Sequence, residues 1–196
     1  MKKILAINPG STSTKLAYFE DDTPILEQSL TFPKPEGQGR VHVLDEYEAR
    51  MESITAFLEE NHISLADIDL FVSRGGAPGR VEYGAYEIDK TVVQLLCFSD
   101  APTYHASNLA PILAYSLAQR AGGKPAIFYD AVSADQASPL AHMSGIPGVA
   151  RRVGCHNLNT RMVGREAAAQ LGKAYEESRL VIAHLGGGIS VSAHNH

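Results

Sequence analysis

Residues 3–19 read KILAINPGSTSTKLAYF, and this stretch decides how the chain begins to fold. An apolar run predicts a short buried strand over residues 3–7, and the turn-forming sequence NPGS at residues 8–11 ends it. A second strand is predicted over residues 15–19 and a third over residues 24–32. Short strands with such tight connections indicate an antiparallel meander at the start of the fold.

Beyond the meander, predicted helices alternate with predicted strands. In chain order they are an amphipathic helix over 44–58, a strand over 68–72, helices over 91–96 and 106–120, and a strand over 126–129. A strand–helix–strand crossover joins parallel strands. The pattern therefore predicts an α/β fold whose mixed sheet is flanked by helices.

Residues 138–156 are rich in Gly, Pro and Arg and predict an irregular junction. A helix is predicted after it, over 160–171, and then two strands, over 180–184 and 189–193, separated by a glycine turn. We therefore expect one domain over residues 1–145 and the start of a second over residues 146–196.

Composition excludes several classes of protein. The 196 residues include 17 Lys and Arg against 22 Asp and Glu, a net charge of −5, and 44% are hydrophobic. This is too apolar for disorder, and too acidic for general binding to nucleic acid or a membrane surface. The first apolar run is too short for a signal peptide, and no stretch nears the roughly 20 apolar residues of a membrane span. With two cysteines excluding a disulfide framework, we expect a cytoplasmic protein.

Two small-residue turns are candidate phosphate-binding loops. The first, residues 8–15, combines exposed amides and hydroxyls with Lys15, which suits a polyphosphate. The second follows a predicted strand at His184, where Gly186, Gly187 and Gly188 permit close approach of a ligand. Each could instead be an ordinary hairpin turn, and neither is a Walker A motif or a dinucleotide fingerprint. Two such turns, each after a strand, are a more specific signal than one.

Polar residues at strand ends form a third group of candidates. Arg74 and Asp130 follow predicted parallel strands, and ligands of open α/β sheets collect at that edge. His105 and His156 lie near predicted helix starts. For any one of these residues, a surface ion pair or a helix cap is the commoner explanation. Zinc is disfavoured, because Cys155 and His156 are adjacent and no second pair has zinc spacing.

These motifs together resemble a known family. In chain order they are INPGSTSTK at 7–15, SRGG at 73–76, YHASNL at 104–109, YD at 129–130, GCH at 154–156 and AHLGGG at 183–188. The chain resembles the acetate and butyrate kinases of the acetate-and-sugar-kinase/heat-shock-cognate/actin superfamily, and the first motif resembles the butyrate kinase form. The resemblance implies a ribonuclease-H-like (actin-like ATPase) domain with a five-stranded mixed sheet, plus the start of a second such domain.

The resemblance also implies an activity, the Mg²⁺-dependent transfer of the ATP γ-phosphoryl group to a short-chain carboxylate. Arg74, Asp130 and His156 would be catalytic, and Arg74 and His105 would contact the carboxylate. Phosphate and nucleotide would contact Asn8, Ser11, Ser13, Lys15, His184, Gly186, Gly187 and Gly188, with Asn8 acting indirectly on magnesium. Butyrate is the expected substrate, with acetate, propionate or a branched short-chain acid as alternatives.

Members of that family are longer than this sequence. The rest of a second domain, an adenosine-binding motif, a second active-site arginine and a late acidic residue have no counterpart in it. We therefore expect an incomplete kinase with little activity alone, forming homo-oligomers or self-associating through residues 178–196. A non-catalytic phosphate- or nucleotide-binding module is the alternative from a different class.

Overall fold

The computed structural model describes residues 1–32, 43–98, 106–151, 156–186 and 189–194. The described residues form a six-stranded mixed sheet and a separate two-stranded hairpin. The strands are β1 Lys3–Pro9, β2 Ser13–Glu20, β3 Thr23–Thr31, β4 Leu70–Arg74, β5 Ala85–Glu87, β6 Ala126–Tyr129, β7 Leu180–Leu185 and β8 Ile189–His194. The α-helices are α1 Tyr47–Glu60, α2 Lys90–Phe98, α3 Leu109–Arg120 and α4 Asn157–Gln170.

The predicted antiparallel meander is present in β1, β2 and β3. β1 pairs with β2 from Lys3–Glu20 to Pro9–Thr14, and β3 pairs with the other side of β2. Alternate residues are buried along the two inner strands, as the pleat of a half-covered sheet requires. The buried side chains on β1 and β2 include Leu5, Ile7, Thr14, Leu16 and Tyr18.

The parallel core of the sheet consists of β1, β4 and β6, in that spatial order. Helix α3 lies against these strands, and eight of its twelve residues are buried. Helix α1 adds an apolar stripe that contains Met51, Ile54, Phe57 and Leu58. Within the described ranges, none of the helices has the length and apolar content that crossing a bilayer requires.

The sheet has one strand more than predicted. The additional strand, β5, is only three residues long and pairs antiparallel with β6 at the edge. Its Tyr86 ring stacks on Phe128, with centroids 5.2 Å apart. So short a strand carries almost no periodic signal, and this tertiary stacking determines where it pairs.

The irregular junction is also present, with a short 3₁₀ helix over Pro139–His142 and an isolated bridge between Met143 and Ala150. Helix α4 begins at residue 157, three residues before the predicted start. Asn157 and Asn159 are weak helix formers, so the sequence pattern placed the start too late.

Helix α4 covers one face of the β7–β8 hairpin. Gly164 of α4 permits this approach, because a Cβ there would lie 2.7 Å from the Tyr175 ring and 2.9 Å from Ile182. The opposite face of the hairpin is apolar and open. Its large side chains are more than 60% exposed: Val181, Leu185, Ile189 and Val191.

Candidate active site

The carboxyl ends of β1, β4 and β6 lie side by side at one edge of the sheet. Ile7 pairs with Ser73, and Arg74 pairs with Tyr129, so Asn8, Arg74 and Asp130 follow one another across that edge. Adjacent strands are about 4.8 Å apart, which puts the ends of β1 and β6 within about 10 Å of each other. The register therefore gathers three of the predicted site residues.

Asp130 is held in a single orientation. Its backbone is left-handed, with φ of 42°, and its side chain is 1% exposed. The carboxylate accepts hydrogen bonds from the backbone N–H of Gly84 at 2.9 Å and from Nη1 of Arg161 at 2.7 and 2.8 Å. These donors replace the hydrogen bonds to water that a carboxylate loses on burial.

Arg161 was not among the residues selected from the sequence. It lies on α4 and crosses to the sheet edge, with its guanidinium 5.1 Å from the Tyr83 ring centroid. Its position five residues after His156, on the same helix, was the available signal. That signal is weak, because an arginine on a helix is usually a solvated surface residue.

Arg74 is partly buried at the centre of the edge. Burial lowers the pKa of its guanidinium, but arginine is so strong a base that the group stays protonated at neutral pH. The edge therefore has a permanent cation next to the exposed side chain of Asn8. A planar guanidinium in this place can bind a carboxylate or a phosphoryl group through two parallel hydrogen bonds.

Two histidines stack beside this edge. The rings of His156 and His184 lie 3.8 Å apart at an interplanar angle of 15°. Nδ1 of His156 is 3.1 Å from Oγ of Ser190, and Nδ1 of His184 is 3.2 Å from Oδ1 of Asn159. Burial, followed by the charges of His184 and Arg74, lowers the pKa of His156 below its usual 6.5. This shift favours the neutral imidazole at pH 7.

A neutral His156 can still donate a hydrogen bond. When the Ser190 hydroxyl donates to Nδ1, the ring proton resides on Nε2. Asn157, which follows His156, donates to the carbonyl of Ala134 at 3.2 Å, and Arg161 of the same helix binds Asp130, so the start of α4 lies close to the end of β6. His184 reaches the cluster from β7, and Ser190 reaches it from β8.

The first candidate loop is a tight turn between β1 and β2. The backbone N–H of Gly10 donates to the carbonyl of Ser13 at 2.7 Å and closes the turn. Asn8 and Lys15 are directly paired across the strands, so their side chains share one face of the sheet. Ser11 and Lys15 are exposed, and Ser13 is half-buried. The turn thus presents hydroxyls and an ammonium group to solvent near Arg74.

The second candidate loop connects β7 and β8, as predicted, and Gly186 is exposed at its start. Three predicted site residues, His105, Gly187 and Gly188, lie outside the described residues.

Magnesium does not fit the described residues by itself. Within the ranges that the structure describes, no three His, Cys, Asp or Glu side chains gather into a metal-binding group. Both oxygens of Asp130 already accept hydrogen bonds from Arg161. Asn8, expected to act on magnesium only indirectly, lies exposed at the edge.

Known structures share this arrangement of elements. The chain superimposes on a Porphyromonas gingivalis acetate kinase with a TM-score of 0.70, at 22% identity, over 100% of this chain and 55% of that one. The fold is that of the acetate and propionate kinases. A Francisella tularensis propionate kinase gives a TM-score of 0.67 at 19% identity over 98% and 54% of the two chains, and an Entamoeba histolytica acetate kinase gives 0.65 at 19% over 99% and 52%.

Part of the sequence matches a family as well. Residues 139–196 match the model of the Acetokinase family, and this segment includes His156, Arg161 and His184. The chain spans about half the length of the solved kinases that it matches.

Proposed function

We propose that this chain provides the carboxylate- and phosphate-binding part of a carboxylate kinase. The reaction transfers the γ-phosphoryl group of ATP to a short-chain fatty acid and gives an acyl phosphate and ADP, reversibly. The observation that carries the proposal is the convergence of Arg74, Asp130 and His156 on one sheet edge, next to a hydroxyl-rich turn.

In this reaction an oxygen of the substrate carboxylate forms a bond to the γ-phosphorus. The bond from that phosphorus to the β–γ bridging oxygen breaks, and ADP leaves with the electron pair. Such chemistry depends mainly on positioning and on neutralising charge. Arg74 has the geometry for both tasks, since its fork can hold the carboxylate against an equatorial phosphoryl oxygen.

His156 is proposed to donate its Nε2 proton, as a hydrogen bond, to a phosphoryl oxygen in the transition state. Its lowered pKa supports a neutral donor, which keeps its proton throughout the reaction. Asp130 is bonded to Arg161 and lies one residue beyond the Arg74 partner Tyr129. We therefore assign Asp130 to the organisation of this cationic edge.

The two loops are proposed to hold the phosphates. Asn8, Ser11, Ser13 and Lys15 would surround the transferred group, while His184 and Gly186 to Gly188 would lie nearer the nucleotide. His105 would line the carboxylate side. Magnesium would arrive with the nucleotide phosphates, as it usually does, and no step is assigned to it.

Butyrate is the proposed substrate, and acetate, propionate and branched short-chain acids are the alternatives. One methylene group changes the free energy that distinguishes two substrates by only about 1–3 kcal/mol, so the preferred acid must be identified by comparing the acids directly. We further propose a domain boundary between residues 145 and 146, a cytoplasmic location and a homo-oligomeric state. The irregular segment between β6 and α4 supports the division.

Calorimetric titration with acetyl phosphate and butyryl phosphate tests the site. We expect the chain to bind them and Arg74→Ala to lose the binding. Arg120→Ala, an exposed substitution at the end of α3, is the control and should bind normally. Equal binding by the Arg74→Ala variant would contradict the assignment.

Acyl hydroxamate formation from ATP with acetate, propionate or butyrate tests turnover. The acid with the highest kcat/KM identifies the substrate. Binding without turnover of any acid would instead support the non-catalytic module, and binding of neither acyl phosphates nor ATP would contradict both functions.

A further inference from the structure

Arg50 of helix α1 is completely buried, with 0% of its surface exposed, and it has no role in the proposed function. Burying a cation is costly unless the protein supplies acceptors. Glu46, one helical turn earlier, accepts hydrogen bonds from Nε at 2.9 Å and from Nη2 at 2.8 Å. The guanidinium also lies 4.3 Å from the centroid of the Phe32 ring. These contacts neutralise the charge and fix its plane.

The remaining donors of Arg50 all point at the first candidate loop. Nη2 donates to the carbonyl of Gly10 at 2.7 Å, and Nη1 donates to Oγ1 of Thr14 at 2.7 Å. Nη1 also reaches the carbonyl of Ser13 at 3.3 Å. The buried side chain of Arg50 thus contacts both ends of the turn from inside the protein.

Because peptide units are planar, these contacts also determine the directions of the N–H groups in the turn. In a planar trans peptide the C=O and the following N–H point in opposite directions. Since the Gly10 carbonyl points at Arg50, the N–H of Ser11 points away from it. The Thr12 carbonyl accepts from the N–H of Phe32 at 2.8 Å, so by the same geometry the N–H of Ser13 points away from Phe32.

We propose that Arg50 is a positioning residue for phosphate binding. It holds the Gly10 carbonyl inward and contacts Thr14, so that the Ser11 amide points away from Arg50 and joins the Ser13 amide, which the Phe32 bond orients, as a preformed set of donors for an anion. The Arg50–Glu46 pair carries no net charge, so Arg50 acts through geometry and adds no attraction for the anion. The inference rests on the proposed function, because it assigns a role to the same phosphate turn.

The test is a titration of the ¹⁵N-labelled chain with inorganic phosphate, followed by the amide shifts of Ser11 and Ser13. Arg50→Lys keeps the charge, but a single ammonium group cannot span Gly10 and Thr14. We expect its dissociation constant at the turn amides to rise roughly tenfold, since two strong hydrogen bonds to the turn are lost. The phosphate response of Gly186 should stay near that of the unsubstituted chain, whereas the thermal midpoint should fall, because the buried site loses hydrogen bonds.

A second variant covers the case in which Arg50→Lys does not fold. Thr14→Val removes one of the Arg50 contacts without altering the buried charge, and its affinity should fall by a smaller factor of roughly three. A weaker phosphate response in this variant supports the inference, and an unchanged one overturns it.

The other outcomes are distinct. A folded Arg50→Lys chain with unchanged affinity at the turn overturns the inference and leaves the proposed function intact. A parallel loss of phosphate response at Ser11 and at Gly186 also overturns it, because that pattern indicates general destabilisation. If the unsubstituted chain shows no response at Ser11 and Ser13, the proposed phosphate site fails and the inference fails with it.

Discussion

The six-stranded sheet and the β7–β8 hairpin bury their apolar residues to very different extents. In the sheet, Leu5 and Phe71 on neighbouring central strands are 0% exposed. In the hairpin, α4 covers only one face, and Leu185 on the other face is 74% exposed. Because close packing determines how firmly backbone is held, we expect the packed strands of the sheet to be more rigid than the half-covered strands of the hairpin.

The two regions contribute different parts of the candidate site. The sheet contributes Asn8, Arg74 and Asp130 from the ends of packed strands. The α4–hairpin unit contributes His156 and His184, which are held mainly by stacking and by single hydrogen bonds. In the proposed function, a firmly packed cationic edge and a histidine pair held by fewer contacts would act together on the phosphoryl group.

The same substitution in the two regions should give the largest contrast. Leu5→Ala removes a fully buried side chain and should lower the free energy of unfolding by about 2–5 kcal/mol. Leu185→Ala removes an exposed one and should change it by less than about 0.5 kcal/mol. Urea denaturation measures both, and similar losses would show that the hairpin face is packed in solution.

Breaking the ion pair between the two regions should have the next largest effect. Arg161→Met leaves the buried Asp130 carboxylate without its cation and should cost about 1–3 kcal/mol, less than a fully buried pair because Arg161 is 21% exposed. Adding Asp130→Asn should recover part of that loss. Additive losses in this double-mutant cycle would indicate that the pair contributes no coupling.

The open hairpin face should cause the chain to self-associate with a second copy. Its outward positions, odd-numbered over 181–185 and 189–193, carry no charge, and within the described residues the hairpin has no third strand. Val191→Lys should weaken the association at least about tenfold, since it puts two like charges into the contact. Sedimentation velocity measures this, with the exposed Ala169→Lys on α4 as control. A monomeric unsubstituted chain would contradict the prediction.

The smallest effect concerns the titration of His156. NMR should give it a pKa below 6.5, and Arg74→Gln should move that pKa upward by removing a nearby positive charge. Because folding lowers the pKa of His156, the folded unsubstituted chain binds fewer protons than the unfolded chain below about pH 6.5. Stability should therefore fall as the pH drops from 6.5 through the folded-state pKa, and His156→Gln should reduce that slope. A His156 pKa at or above 6.5 would contradict the arrangement.

Local patterns predicted most of the elements. The short apolar run and the turn sequence in residues 3–19 predicted the meander, and the pattern over residues 106–120 predicted α3. Asp89, just before α2, accepts the backbone N–H of Val92 at 2.8 Å. These features depend on neighbours within a few positions, so the periodicity of the side chains reveals them.

The sequence by itself determined the parallel strands, and it identified the polar residues that follow them. Only the tertiary structure decided that Arg161 binds Asp130 and that Arg50 holds the first turn, across 31 and 36–40 residues of chain. It also decided the pairing of β5 through the stacking of Tyr86 on Phe128. Such contacts arise from register and packing between distant segments. A periodic sequence pattern describes one segment at a time, and so it cannot predict contacts between distant segments.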